Sequence, residues 1–152
     1  MQVHVWLPDS SNVGHTSLSI GEDYISFWPH GSAGKKDLKI KRSQPGMLVP
    51  SLHEDIVNEG HRQPITIELS SLDEAAVLDY IVELRANTPR YQLARNNCSH
   101  IVAGALEAGA GGKASFRPHA GQYGNLGRIL GAGIWTPDQV LKFARELAAK
   151  SK

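Results

Sequence analysis

The chain has 152 residues, enough for one domain with its own apolar core and without disulfide or metal staples. Its 16 Lys+Arg against 15 Asp+Glu leave a formal net charge of +1, which gives no electrostatic case for nucleic acid or an acidic membrane surface, so any partner has to be recognised locally. The one cysteine excludes an internal disulfide and a cysteine-based zinc site, no apolar run is long enough to span a membrane, and the start M-Q-V-H-V-W-L-P lacks the basic region and long apolar core of a classical signal peptide.

In chain order, Val3, Val5 and Leu7 alternate with Gln2, His4 and Trp6 up to Pro8, the pattern of a strand with one buried face. After the loop P-D-S-S-N-V-G, His15 to Ile20 and Tyr24 to Trp28 are β-rich runs joined around Gly21-Glu22-Asp23, which predicts a tight hairpin ended by Pro29. Strict alternation puts His15 on one face with Ser17 and Ser19, opposite Leu18 and Ile20. A strand holds an imidazole rigidly, and Gly14 before it lets a backbone or a substrate come close, which singles out His15 as a functional histidine. His4, His53, His61 and His119 are read as solvated or hydrogen-bonded side chains.

From His30 to Gln63 the periodicity is lost, and a connection of this length is expected to serve as a lid or a substrate-binding loop. The basic run Lys35 to Arg42 is followed by the acidic stretch Glu54 to Glu59, so the expectation here is a solvated loop face. Neither Asp37 to Lys41 nor Leu52 to Val57 is assigned an element. Pro64 to Leu69 alternates as a strand and leads into a helix, with Ser71 and Glu74 at capping-box spacing and Leu72, Ala75, Ala76, Leu78, Ile81, Val82 and Leu84 as its apolar stripe. Thr88-Pro89 ends it. The glycine-rich stretch after Gly109 matches no phosphate-binding spacing and is expected to be a loop near the site. Thr136-Pro137-Asp138-Gln139 then supplies an N-cap, a proline at the first helical position and a capping-box glutamine for a final helix.

Between those last two helices lies Y-Q-L-A-R-N-N-C-S-H-I-V-A-G-A-L-E-A-G, Tyr91 to Gly109. Ile101, Val102, Ala105 and Leu106 recur as one helix face does, so Cys98 falls in or just before the first turn. Unpaired N–H groups and the positive end of the helix dipole there favour a thiolate over a thiol, and supply donors for an oxyanion. His100, two residues on, points to another side of such a helix and is given a structural role. Asn97 is placed either to cap the helix or to help hold an oxyanion.

Two motifs, G-H-T-S-L-S-I at the start of the hairpin strand and Y-x-L-x-x-N-N-C-S-H at the helix start, together resemble the permuted papain-like cysteine hydrolases. That group includes the PPPDE isopeptidases, the lecithin:retinol acyltransferase-like enzymes and the NlpC-type amidases. His15 precedes Cys98, which is the permuted order, and Ile101 stands where those families usually place an aromatic residue. The resemblance implies a single α+β catalytic domain over residues 1–152, with an antiparallel sheet packed against a nucleophile-bearing helix in a circularly permuted papain-like (NlpC-type) fold. It implies a cysteine hydrolase, of peptidase or amidase type, with Cys98 as nucleophile and His15 as base, acting on a peptide, isopeptide or peptidoglycan-type amide through a thioacyl-enzyme. Gln92 matches the offset of the papain-type oxyanion glutamine, beside its ordinary reading as a polar loop residue. His30 is the leading third member of the site, with Ser26 and Asn12 open. An acyltransferase or lipid hydrolase of the lecithin:retinol acyltransferase-like type ranks second, because no hydrophobic anchor is visible, and a non-catalytic binding module third. No cofactor or metal is expected. The setting implied is cytoplasmic, or secretion without a classical signal peptide as a bacterial effector or toxin that meets a partner or immunity protein.

Overall fold

The valines and leucines that alternate at the start of the chain become the middle of a sheet. In the computed structural model, which describes residues 1–31, 42–112, 115–121, 124–125, 129 and 131–150, β1 (Gln2–Trp6), β2 (His15–Ile20) and β3 (Asp23–Pro29) form an antiparallel meander. Val3 lies opposite Leu18, Trp6 opposite His15, and Leu18 opposite Ile25. Three further strands, β4 (Gln44–Leu48), β5 (Ile65–Glu68) and β6 (Arg90–Tyr91), complete the six-stranded order β5-β1-β2-β3-β4-β6. Every pairing is antiparallel.

One face of this sheet carries Val3, Val5, Leu18, Ile20, Ile25 and Phe27, all buried. Covering it are α3 (Cys98–Gly109) and α4 (Pro137–Ala149), with α2 (Glu74–Ala86) packed on α3, and the three contribute Ile101 and Leu106, Val140 and Phe143, and Val77 and Ile81 to the same core. Burying each large apolar side chain stabilises the fold by about 1.5–3 kcal/mol relative to exposure. The alternate residues of the strands, Trp6, His15, Ser17, Tyr24, Ser26 and Trp28, therefore point to the other face. There they meet α1 (Leu52–Asn58) through its Asp55.

The structure corrects the expected solvated excursion. Arg42 is described, but the rest of the basic run and Asp37 to Lys41 lie outside the described residues. Beyond them the chain builds β4 and α1. Gly46 permits β4 to pair with β3, because a Cβ there would sit 2.3 Å from the Phe27 ring and 2.4 Å from the Pro89 carbonyl. Ser51 starts α1 by accepting the Glu54 N–H at 3.3 Å. Far from being solvated, Asp55 and Glu59 are each 0% exposed.

Helix α2 is also set differently from its sequence pattern. Asp73, not Ser71, is the N-cap, its carboxylate accepting the Ala76 N–H at 3.1 Å. The buried face is Val77, Ile81 and Leu84, while Leu78 and Val82 are 37% and 64% exposed. With apolar residues nearly all round the helix, periodicity alone does not choose a face. Gly104 on α3 chooses it, since a Cβ there would lie 2.5 Å from the Tyr80 hydroxyl, so the two helices meet along the Tyr80 side. In α4, Thr136 caps by accepting the Gln139 N–H, whereas the Gln139 side chain turns instead to Asp138 and to the His119 N–H.

Candidate active site

Cys98 is the first residue of α3, and Asn97 is the reason the helix starts there. The Asn97 side-chain oxygen accepts the His100 N–H at 3.0 Å, and His100 Nδ1 faces the Asn97 N–H at 3.5 Å to close a capping box. Both hydrogens of the Asn97 amide are already donated, to the Leu93 carbonyl at 2.7 Å and to the Trp135 carbonyl at 3.0 Å. Of the two roles open to Asn97, the structure thus shows the cap and leaves no side-chain N–H for an oxyanion. His100 belongs to the same cap, and burial pushes its ring down to about 4 against the smaller opposing effect of a hydrogen bond to the Gly133 backbone carbonyl. A ring that stays neutral throughout the neutral range suits an acceptor in a cap.

His15, at the start of β2, lies between two indoles. Trp28 stacks on it with ring centroids 4.1 Å apart and planes 21° apart, and Trp6 lies 5.6 Å away on a tilt. Indole faces attract an imidazolium more than a neutral ring. Nε2 is 2.8 Å from Ser26 Oγ and 3.2 Å from Asp55 Oδ2, which leaves Nδ1 as the nitrogen able to exchange a proton with Cys98.

Asp55 is the residue sequence reasoning missed. Besides His15, its carboxylate accepts from the Tyr24 hydroxyl, from Ser26 Oγ at 2.8 Å and from Trp28 Nε1 at 2.8 Å. Burial alone would raise the Asp55 pKa, but the His15 charge and these hydrogen bonds outweigh it and hold the carboxyl below its ordinary 3.8. Burial and the neighbouring carboxylate keep Tyr24 protonated, so it remains a donor. His30, the expected third member, is exposed at the end of β3, with its backbone N–H bonded to the Pro45 carbonyl, and it is not among the partners of His15. Ser26 does reach the ring, as a bridge between His15 and Asp55, whereas Asn12 stays in the exposed β1–β2 loop bonded to Asp9.

Cys98 and His15 perturb one another. Burial raises the thiol, yet the His15 charge and hydrogen bonding to His15 and to the Thr16 N–H and hydroxyl bring Cys98 below its ordinary 9.0. Burial likewise lowers the imidazole, but Asp55 and then Cys98 outweigh it and lift His15 from 6.5 to about 10. Both shifts run in the direction that favours a thiolate–imidazolium pair, with the Asp55 carboxylate behind the imidazole. Beside it opens a cavity of about 260 Å³ with mainly apolar walls, among them Val13, Leu93, Ala94, Ile134, Trp135 and Pro137. Gln92 does not line it. Gln92 pairs through its backbone with Asn96, and among the described residues its side chain makes no hydrogen bond. Among the described residues no His, Cys, Asp and Glu group is arranged to hold a metal ion.

The charge pair ties stability to pH. His15, raised, contributes fully below pH 6.5, and that contribution is lost as pH rises through about 10. Cys98, lowered, contributes fully above pH 9.0 and loses its contribution as pH falls through its depressed value. With a folded thiolate–imidazolium pair, the folded and unfolded states each hold one proton between 6.5 and 9.0, and the two trends then cancel. In Cys98→Ala only the His15 trend survives. The expected result is that the advantage in urea midpoint of the native protein over Cys98→Ala grows steadily from pH 6.5 to 9.0, the difference cancelling groups common to both. An advantage independent of pH across that window means the ring is neutral in folded Cys98→Ala.

A family model described as the IcsB middle domain matches residues 42–152, a stretch that holds Asp55 and Cys98 and begins after His15. No curated protein and no solved structure matches the chain.

Proposed function

The chain belongs to the IcsB middle-domain family, and from that premise we propose that it is a thiol acyl-transfer enzyme on a circularly permuted papain-like fold. The observation that carries the proposal is the meeting of Cys98, His15 and Asp55 from three separate elements in a polarised row. The Cys98 thiolate attacks an acyl carbonyl, and the carbon–sulfur bond forms as the carbonyl electrons move to oxygen. The Cys98 backbone N–H, at the open start of α3, faces that oxyanion. His15 gives its Nδ1 proton to the leaving group as the carbonyl re-forms, leaving a thioester on Cys98 and a neutral ring. Water or an amine then attacks while His15 takes the proton back, and Asp55 holds the ring in the orientation and charge both steps need.

The cavity favours one class of acyl group over another. A peptide main chain carries an N–H and a C=O at every residue and needs polar partners for them, which walls made mainly of valine, leucine, isoleucine, tryptophan and proline, with Asn97, Ser99 and Thr136 beside them, offer sparingly. An aliphatic acyl chain has no such need. This supports the acyltransferase or lipid-hydrolase reading over the amide hydrolase, supplying at the nucleophile itself the hydrophobic anchor that is not legible along the chain. A delivered effector, with a partner or immunity protein, is the setting that accompanies this proposal.

The test is intact-mass analysis after incubation with p-nitrophenyl esters of increasing chain length, with a phospholipid, and with peptide and ubiquitin-like substrates. The expected result is an acyl adduct on Cys98 whose rate of formation rises with chain length until the cavity is filled. Adducts from peptides, with no dependence on ester chain length, would restore the amide hydrolase. No adduct from any of them counts against acyl transfer altogether.

A further inference from the structure

The eight residues that join β1 to β2 end in Val13 and Gly14, both on the wall of the cavity, and the next residue is His15. This loop is tightly folded. Gly14 has φ +84, and a Cβ there would lie 2.7 Å from the Trp6 carbonyl. Asp9 organises the loop by accepting the Ser11 N–H at 2.6 Å and the Asn12 N–H at 2.7 Å on one oxygen. Across from it stands the end of α1, where Glu59 lies one turn beyond Asp55 and so shares its helix face. Glu59 is 0% exposed, and its Oε1 has no hydrogen-bond partner among the described residues. The other oxygen is bonded to Arg62.

Among the described residues, Arg62 is the only side chain that bonds to both pieces. Nη2 reaches Glu59 Oε2 and Nε donates to the Glu59 carbonyl at 3.1 Å, while Nη1 donates to the Leu7 carbonyl at 3.0 Å and lies 3.3 Å from Asp9 Oδ2. Its own carbonyl accepts from Nε1 of Trp6, the indole beside His15, at 2.8 Å. We propose that Arg62 is a positioning residue, a guanidinium clamp that sets the helix bearing Asp55 in register with the loop that leads into His15 and forms part of the cavity wall. The planar fork of arginine makes these contacts at once, and a lysine, a single point charge, neutralises Glu59 without also holding Leu7 and Asp9. The inference rests on Cys98, His15 and Asp55 being the reactive centre, but it is tested on the thiol alone.

The experiment is the rate of Cys98 alkylation by iodoacetamide at pH 6, followed by intact mass, with thermal melting as the check on folding. Arg62→Lys is expected to melt cooperatively and to alkylate about tenfold more slowly than the native protein, the scale of effect that a displacement of an ångström or less has on an aligned centre. Arg62→Ala is expected to be slower still, and to regain rate in millimolar guanidinium but not in urea at the same concentration. Arg85→Ala, which breaks only the exposed pair with Asp23, is expected to match the native rate. A native rate in Arg62→Lys overturns the clamp, as does a slow Arg62→Ala on which guanidinium and urea act alike. If native Cys98 alkylates rapidly and Arg62→Lys slowly while no acyl adduct ever forms, the clamp stands and the acyl-transfer reading falls.

Discussion

Cys98→Ala is expected to form no thioester and to turn over nothing above background, with the fold intact. The loss expected is on the order of 10⁴–10⁶-fold in kcat, the scale seen when a covalent nucleophile is removed from a site whose other groups remain. The fold survives because the cap of α3 is made by Asn97 and His100, neither of which touches the missing sulfur, and alanine is a good helix former. Cys98→Ser is expected to be equally inactive. A serine hydroxyl is not ionised at neutral pH, so the resting anion opposite the His15 imidazolium disappears along with the nucleophile. Intact mass with a chain-length series of esters measures both variants, and thermal melting checks the fold. Turnover retained by either variant, in folded protein, removes Cys98 from the mechanism.

The second large effect is expected at Asp55→Asn, on activity and stability together. Four donors converge on the Asp55 carboxylate, from His15, Tyr24, Ser26 and Trp28. An amide offers them one acceptor oxygen and one NH₂, so whichever way it turns, donors face donors. Each buried polar group left unsatisfied costs about 1–3 kcal/mol, so a fall of several kcal/mol in unfolding free energy is expected. Without the anion, His15 loses its largest stabilising influence after burial is set aside, its pKa falls, and the Cys98 thiolate loses its partner in turn. Turnover should drop on the order of 10⁴-fold, as when a triad carboxylate is converted to its amide. Alkylation of Cys98 should move toward the pH of an ordinary thiol. Urea unfolding, ester turnover and the alkylation profile give the three readouts. A folded Asp55→Asn protein with native turnover would reduce Asp55 to a packing residue, and Tyr24→Phe, which removes one of the four donors, is the milder companion.

What the amino-acid sequence determined by itself is what depends on neighbours along the chain. Alternation placed β1, β2 and β3 and put His15 on the face opposite Leu18, because side-chain direction in a strand has a period of two wherever the strand lies. Apolar recurrence placed α3 and the Thr136 cap placed α4, and in the structure Asn97 and Thr136 both bond to N–H groups three residues away. That put Cys98 at the head of a helix, the position on which its proposed role as nucleophile rests.

Tertiary structure alone decided what those residues meet. Asp55 sits in a seven-residue helix too short to display a period, in a run of acids that reads as solvated, and its donors Tyr24, Ser26 and Trp28 come from 27 to 31 positions earlier. Its one local sign was the pairing of Asp55 with Glu59 at i,i+4 behind a serine cap, two acids on one helix face with no lysine or arginine on that helix to answer them. The buried face of α2 was likewise settled by Gly104 across the interface, and the cavity wall by segments as far apart as Val13 and Trp135. A carboxylate becomes a member of a reactive row only when the fold removes water from it and supplies donors in exchange, and that exchange happens between elements distant along the chain, where no local pattern records it.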